Sequence, residues 1–288
     1  MTQIDFQSAT NFIWLNARLL DRRRFAHHFF GAGVEPVISA LRAYQNGDGG
    51  FGSGLEPDIR APISQPQPVE VGLRLLDEVD AFAGPMVASA CDYLLSITTS
   101  EGGVPFVLPS VREFPRAPWW ESTDDPPASV NPTAALAGLL HRHHVDHPWL
   151  GPATDFCWHK IEARDDFEHY DMVAVLTFLE FVPDRGRAEA AFERLGKAMI
   201  DRGLVELDPA KPGEFSPLTY ARRPGTLARR LFAGSVVEAH LDGLAARQQP
   251  DGGWPISWPA PSPLAELEWR GSVTVTALLT LRAYGRLA

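Results

Sequence analysis

The sequence predicts an all-α fold with two layers of helices. Strand signals are scarce, because no Asn-Gly or Asp-Gly turn joins two alternating apolar runs. The apolar residues mostly recur with helical spacing, and loops rich in Gly and Pro separate the helical segments. The helices are also of two kinds, one charged along one side and the other almost free of charge over its centre.

The first kind is predicted to form an outer layer. Over residues 187–202, charged side chains alternate with apolar ones at helical spacing, which is typical of a helix with one face in solvent. The predicted outer helices are 33–45, 85–97, 149–163, 186–202 and 234–248.

The second kind is predicted to form an inner layer. Thr133 to Leu140 reads TAALAGLL and Ser272 to Leu281 reads SVTVTALLTL, and a helix that is apolar all round is buried all round. The predicted inner helices are 7–20, 66–79, 131–144, 168–182, 217–231 and 270–285. Since the two kinds alternate along the chain, we predict a single domain over residues 1–288, an α/α toroid of about six helical hairpins.

Charge and composition exclude several classes of protein. The formal net charge is −10, which disfavours binding to nucleic acid. Residues 1–10 lack the pattern of a secretory signal, and no run of about 18 apolar residues predicts a membrane span. We therefore expect a cytoplasmic protein without an integral membrane span.

A short motif ends two of the predicted outer helices in the same way. Residues 41–51 read LRAYQNGDGGF and residues 244–254 read LAARQQPDGGW, and a weaker third copy at 101–106 reads EGGVPF. Gly-Gly permits the positive φ that stops a helix and turns the chain. The polar side chains can satisfy backbone groups at the helix end. We predict structural roles for Gln45, Asp48, Gln248 and Asp251.

This repeat resembles the QW motifs of squalene–hopene cyclases and related terpene cyclases, and it is similar to the turns of protein prenyltransferase β-subunits. Together with the alternating helices, the resemblance extends over most of the chain. It implies the α/α-toroid fold. It also implies acid-initiated cyclisation or isomerisation of an isoprenoid-like apolar substrate in the cavity of the toroid.

The acid motif of that family is absent. Class II terpene cyclases carry Asp-x-Asp-Asp followed by Thr-Ala at the start of an inner helix, and the matching stretch here, 129–134, reads SVNPTA. The zinc of protein prenyltransferases is held by Asp, Cys and His, and neither Cys91 nor Cys157 has a matching context. A metal tract at 141–147, HRHHVDH, is explained by the preference of His for helix C-termini. No metal or other cofactor is predicted.

Candidate catalytic acids lie in segments that precede predicted inner helices. These segments, rich in acids and aromatics, are 54–60, 119–125, 165–171 and 266–270. Because the inner helices are expected to start at one end of the ring, the segments are expected to face one another across a mouth. Glu56 and Asp58 are the preferred catalytic pair, since they lie on a loop where helix capping explains them less well. Asp124 and Asp125 come next.

Substrate-binding residues are predicted in the same segments. Aromatic faces stabilise a carbocation by cation–π attraction, and they also form platforms for sugar rings. The predicted substrate-binding residues are Arg60, Trp119, Trp120, Tyr170, Trp269 and Arg270.

Three functions fit this arrangement. The first is acid-initiated chemistry on an isoprenoid-like substrate, and the second is a saccharide-processing enzyme that uses the same carboxylates as acid and base. The third is a non-catalytic ligand-binding or interaction module. An apolar cavity would favour the first function, a site dense in charge the second, and a filled toroid the third. The sequence does not determine the oligomeric state.

Overall fold

The fold is helical throughout the part of the chain that the computed structural model describes, residues 4–211 and 215–287. Apart from isolated β-bridges, the regular secondary structure of these residues is α-helix and 3-10 helix. The predicted all-α fold is therefore confirmed. No helix within these ranges is long and apolar enough to cross a membrane.

The chain divides into two compact units. The central unit is Leu41–Arg202, and the terminal unit combines Met1–Ala40 with Gly203–Ala288. In chain order the described α-helices are α1 (Phe6–Asn16), α2 (Leu19–Phe30), α3 (Glu35–Arg42), α4 (Pro66–Glu78), α5 (Pro85–Ser96), α6 (Val130–Arg142), α7 (Leu150–Ala163), α8 (His169–Phe181), α9 (Arg185–Asp201), α10 (Pro217–Tyr220), α11 (Gly234–Ala246) and α12 (Pro263–Ala283).

The core of the central unit is built around α6. This helix packs against α4, α7 and α8, and α8 packs in turn against α9. Every residue from Thr133 to Leu140 is buried. The absence of charge that marks this stretch in the sequence is thus explained by contact with neighbours on all sides.

In the terminal unit, α12 packs against α1, α2 and α11. A buried ion cluster lies on α2 and at its N-cap. Asp21 is fully buried, and its two carboxylate oxygens accept from Arg18 Nε at 2.8 Å and from Arg24 Nη1 at 2.7 Å. Arg24 Nη1 also donates to Ser272 Oγ of α12 at 3.3 Å, so the cluster ties the two helices together.

Two predicted helices of the terminal unit differ from the structure. The predicted helix 217–231 is only the single turn of α10 followed by a 3-10 helix at Leu227–Leu231, because Pro224 and Gly225 interrupt it. The predicted helix 270–285 begins seven residues earlier, at Pro263. Its N-cap is Ser262, whose hydroxyl accepts the N–H of Ala265.

The N-terminal region also differs from the prediction. The expected inner helix 7–20 is two helices, because the chain is extended at Ala17 before α2 begins. Helix α2 has the sequence LLDRRRFAHHFF, in which charged and His residues interrupt the apolar spacing. The sequence therefore does not predict this helix.

The Gln residues of the repeated motif make matching contacts. Gln45 Nε2 donates to the carbonyl of Gly49 at 2.9 Å and to the carbonyl of Met86 at 2.9 Å. Gln248 Nε2 likewise donates to the carbonyl four residues later at 3.0 Å and to the N-cap residue of α1 at 2.8 Å. Each Gln therefore fastens its own turn to another helix of the same unit.

The first glycine of each Gly-Gly pair lies in the left-handed region. Its φ is 89° at Gly49, 91° at Gly102 and 91° at Gly252. A Cβ on Gly252 would lie 2.1 Å from the carbonyl oxygen of Ser8, and one on Gly49 would lie 2.1 Å from that of Ser89. These positions therefore require glycine both for backbone conformation and for space.

The second glycine of each pair is required for space alone. Gly50, Gly103 and Gly253 lie outside the left-handed region, so the expectation of positive φ holds for only one glycine of each pair. A Cβ on Gly50 would lie 2.5 Å from Cβ of Ser64, and one on Gly253 would lie 2.7 Å from the ring of Phe12.

These contacts also identify which helix each turn packs against. The turn at Gly49 packs on α5, the turn at Gly102 on α7, and the turn at Gly252 on α1. Helix α1 thus corresponds to α5 and α7, which the sequence predicts as outer helices. The layer to which α1 belongs stays a prediction. The α/α toroid and the single domain stay predictions.

Candidate functional site

The preferred acids, Glu56 and Asp58, are buried on the loop between α3 and α4. Glu56 is 6% exposed and Asp58 is 2% exposed. The backbone N–H of Asp58 donates to Glu56 Oε2 at 3.1 Å, and the N–H of Ile59 donates to the carbonyl of Glu56 at 3.0 Å. The two sequence-predicted acids therefore lie on one buried loop, away from any helix.

Backbone hydrogen bonds hold this loop in place. The N–H of Ala117 donates to the carbonyl of Asp58 at 2.9 Å, and the N–H of Arg60 donates to the carbonyl of Pro115 at 3.1 Å. Arg60 curls back over the loop, since its Nη1 donates to the carbonyl of Pro57 at 3.2 Å. The carboxyl pair is therefore fixed on a rigid backbone.

The two adjacent tryptophans have different environments. Trp120 is 6% exposed and packs in a small core with Ile59, while its ring stacks on Phe106 with centroids 4.9 Å apart. Its indole Nε1 is buried without a hydrogen-bond partner. Trp119 is 42% exposed. Of the two, Trp120 thus belongs to the packing behind the carboxyl loop, and Trp119 lies on the surface.

The second pair of acids is exposed. Asp124 pairs with Arg112 at 2.5 Å, with 88% of the aspartate side chain in solvent, and Asp125 is exposed as well. Neither side chain is enclosed by the protein. The buried pair Glu56 and Asp58 is therefore the better candidate for acid chemistry.

A hydrogen bond between two polar side chains links the starts of α4 and α6 in the central unit, and the sequence does not predict it. Gln67 of α4 is 8% exposed, and its Nε2 donates to Asn131 Oδ1 of α6 at 3.1 Å. Asn131 has non-helical φ and ψ of −96° and 117°. The carboxyl group of Asp171, on α8, lies near enough to the backbone N–H of Asn131 for that group to act on its pKa.

The carboxyl group of Asp171 is partly desolvated. Burial raises its pKa above the ordinary value, while Arg164, whose Nη2 lies 3.2 Å from Asp171 Oδ2, and the N–H of Asn131 act in the opposite direction. The neighbouring Tyr170, a predicted substrate-binding residue, is 55% exposed. In the sequence, Gln67 and Asn131 are two amide side chains near the starts of predicted helices. Each one alone is typical of an ordinary helix cap.

In the terminal unit, Trp269 and Arg270 lie on the first turns of α12. Trp269 meets Trp258 edge to face, with centroids 5.1 Å apart, and its Nε1 is buried without a partner. The guanidinium of Arg270 lies 4.6 Å from the ring centroid of Phe12 and pairs with Asp251 at 2.8 Å. Arg270 therefore has a packing role in addition to any role in binding.

Beside this ion pair runs an open groove of about 390 Å³. Its lining mixes charged, amide, proline and aliphatic side chains: Gln249, Pro250, Asp251, Pro255, Ile256, Glu266 and Arg270. The side chain of Glu266 extends from the first turn of α12 into this lining.

The histidine-rich stretch at the C-terminal end of α6 is held by hydrogen bonds. His143 Nε2 lies 2.6 Å from Asp77 Oδ1, and the ring stacks on Phe82 with centroids 4.0 Å apart. His141 Nε2 lies 2.8 Å from Thr154 Oγ1. In the part of the chain that the structure describes, no group of three or more His, Cys, Asp or Glu side chains is placed to hold a metal ion.

Comparison with known proteins identifies a fold relative. No protein-family model matches the chain, and neither does any curated protein. Among solved structures, a protein from Actinoplanes matches with a TM-score of 0.62 over 97% of this chain and 98% of that chain, at 16% identity. At this level of identity, the similarity shows that the two proteins share a fold.

Proposed function

We propose that the protein is a terpene-cyclase-like enzyme that starts cyclisation or isomerisation of an isoprenoid-like apolar substrate by protonating it. The observation that carries the proposal is the burial of two carboxyl groups, Glu56 and Asp58, on a loop outside any helix. Burying an acid costs several kcal/mol. The pair caps no helix, and carboxyl groups are among the side chains that donate protons in acid catalysis.

In this chemistry the catalytic acid donates one proton to the substrate and is regenerated when it removes a proton from the product-forming cation. A protonated carboxyl of the pair donates its proton to an alkene carbon; the π electrons form the new C–H bond and leave a carbocation. After rearrangement, the carboxylate removes a proton from a carbon next to the cation, which re-forms a double bond and restores the acid.

The proposal also includes the kind of substrate and the cellular location of the reaction. Its substrate is a small molecule, and its setting is the cytoplasm. The net charge of −10 supports a partner other than nucleic acid. The similarity of the Gly-Gly turns to QW motifs, with matching Gln contacts in both units, supports the terpene-cyclase-like class.

The test is incubation of the purified protein with squalene-like hydrocarbons and prenyl diphosphates, followed by mass spectrometry of the products. We expect Glu56→Gln and Asp58→Asn to lower turnover by about 10² to 10⁴-fold, the usual contribution of a general acid. Both variants should remain folded, because an amide replaces a carboxyl group of nearly the same size.

Asp124→Asn and Asp125→Asn are the matched controls, because these acids are exposed. Their turnover should equal that of the unmodified protein. If the two buried-site variants fold and keep full turnover, the carboxyl pair is not the acid. If no member of the substrate panel is converted or bound, the chain is better described as a non-catalytic interaction module.

A second function is favoured by the groove of the terminal unit. Asp251 and Glu266 provide acceptors, Gln249 and Arg270 provide donors, and the prolines provide apolar surface. Sugars combine hydroxyl groups with apolar ring faces. A saccharide-processing or saccharide-binding protein would therefore use such a lining. A rise in melting temperature with oligosaccharides, lost in Glu266→Gln, would favour this second function over the first.

A further inference from the structure

An apolar surface is exposed on the first two helices of the chain, α1 and α2. Trp14 is 42% exposed, Leu15 78%, Leu19 58% and Phe30 55%. Among the described residues, ten large hydrophobic side chains are exposed, and four of them lie within residues 14–30. Single exposed apolar residues are normal on a protein, but a concentration of them marks an interaction surface.

The aromatic part of this surface is held in place by packing beneath it. The ring of Trp14 meets Phe25 edge to face with centroids 6.2 Å apart, and it lies 6.5 Å from the ring of Phe30. Phe25 is fully buried and also meets Phe30 edge to face, at 5.4 Å. A partner that docks here thus contacts rings that are already ordered, which lowers the entropic cost of binding.

The same two helices are basic, although the protein as a whole is acidic. Residues 6–30 contain four arginines, one aspartate and no lysine or glutamate, which gives a formal charge of +3, whereas the whole chain carries −10. The aspartate, Asp21, is fully buried and pairs with Arg18 and Arg24. The exposed surface of α1 and α2 therefore carries no carboxylate.

Arg23 places a positive charge among the exposed apolar side chains of α2. It lies one turn after Leu19 and about two turns before Phe30, on the same face of the helix. Its side chain is exposed and forms no ion pair or hydrogen bond with any residue that the structure describes. A guanidinium binds a carboxylate best, because its planar N–H groups match the two oxygens.

The charge of this face decides between possible occupants. In a two-fold dimer the surface would meet its own copy, which brings two positive faces together without a carboxylate between them. A nucleic acid would be repelled by the acidic remainder of the chain, and Leu15 and Leu19 cannot stack on its bases. A peptide with a few carboxylates beside apolar side chains matches both the charge and the apolar surface.

We propose that α1 and α2 form a docking surface for an acidic, amphipathic peptide segment of a partner protein. Apolar side chains of the segment pack on Trp14, Leu15, Leu19 and Phe30, and a carboxylate of the segment pairs with Arg23. This interaction goes beyond the proposed enzymatic function and does not depend on it.

Fluorescence anisotropy with three labelled helical peptides of equal length tests the proposal. The first peptide is an amphipathic helix of leucine and glutamate. The second has lysine in place of every glutamate, and the third has alanine in place of every leucine. We expect the full-length protein to bind the first about tenfold more tightly than either of the others, because only the first offers both apolar contact and complementary charge.

Arg23→Glu should weaken binding of the glutamate peptide by about tenfold and strengthen binding of the lysine peptide. A structural role of Arg23 would not exchange the preference in this way. Arg223→Glu is the matched control, because Arg223 is also exposed and without a side-chain partner among the described residues, and the substitution changes the net charge equally. This control should keep the preference for the glutamate peptide.

Leu19→Ser should weaken binding of the glutamate peptide by about tenfold, since it removes a large apolar side chain from the contact. Leu264→Ser is the matched control, because Leu264 on α12 has the same exposure of 58%. Its affinity for the peptide should equal that of the unmodified protein. Melting temperatures show that all four variants are folded.

Several outcomes would overturn the proposal. One is absence of binding to the glutamate peptide at about 1 mM, and another is equal affinity for the glutamate and lysine peptides. Equal losses in Leu19→Ser and Leu264→Ser would place the peptide elsewhere. A dimer in sedimentation velocity that Leu19→Ser dissociates would show that a second copy covers the face. Binding to phosphatidylcholine vesicles that Leu19→Ser abolishes would show that a lipid surface covers it.

Discussion

Gly252→Ala should lower the free energy of unfolding by about 2–5 kcal/mol, the sum of a backbone effect and a steric effect. The left-handed backbone at φ 91° costs an alanine about 1–2 kcal/mol. The added Cβ would also lie 2.1 Å from the carbonyl oxygen of Ser8, and relieving such a backbone clash costs about 1–3 kcal/mol more. Urea unfolding followed by circular dichroism measures the change.

Gly31→Ala is the control for this substitution. Gly31 also has a left-handed backbone, with φ 64°, but a Cβ there would have no atom within 4 Å. Gly31→Ala should lower the free energy of unfolding by only about 1–2 kcal/mol, because it carries the backbone cost without the steric one. Equal losses in the two variants would contradict the close approach of the Gly252 turn to α1.

Asp21→Ala should destabilise the protein by about 3–5 kcal/mol, the usual effect of breaking a buried ion pair. The substitution removes the carboxylate that Arg18 and Arg24 share, and these side chains are only 9% and 3% exposed. Their charges would stay buried after losing that partner. Thermal and urea unfolding both report the change.

The corresponding surface pair is Lys197 and Asp201, with side chains 76% and 60% exposed. Asp201→Ala should change stability by no more than about 0.5 kcal/mol, because exposed pairs within a helix contribute little. A small effect of Asp21→Ala, similar to that of Asp201→Ala, would show that the buried cluster is not required for stability.

Local sequence patterns predicted most of the helices, because helix formation depends on spacings of three and four residues. The predicted helix 66–79 is observed as α4 and 186–202 as α9, each within a residue at either end. Prediction failed where other signals interfered. The charged residues of α2 mask its apolar spacing. The N-cap of α12, Ser262, lies eight residues before the predicted start of that helix.

The candidate site was less predictable from the sequence. Trp119 and Trp120 are neighbours in the chain, yet one is exposed and the other is packed on Phe106. Asp58 and Asp125 are both loop acids, yet only Asp58 is buried. These differences depend on which distant segment covers each side chain, and the local sequence does not contain that information.

By itself, the sequence determined the all-α class, the positions of most helices and the repeated Gly-Gly turns, because spacing, capping and backbone freedom are local properties. Only the tertiary structure decided which acids are buried and that Gln67 and Asn131, far apart in sequence, share a hydrogen bond. The reason is that burial and hydrogen bonding between helices arise from packing, which brings together residues that no local pattern relates.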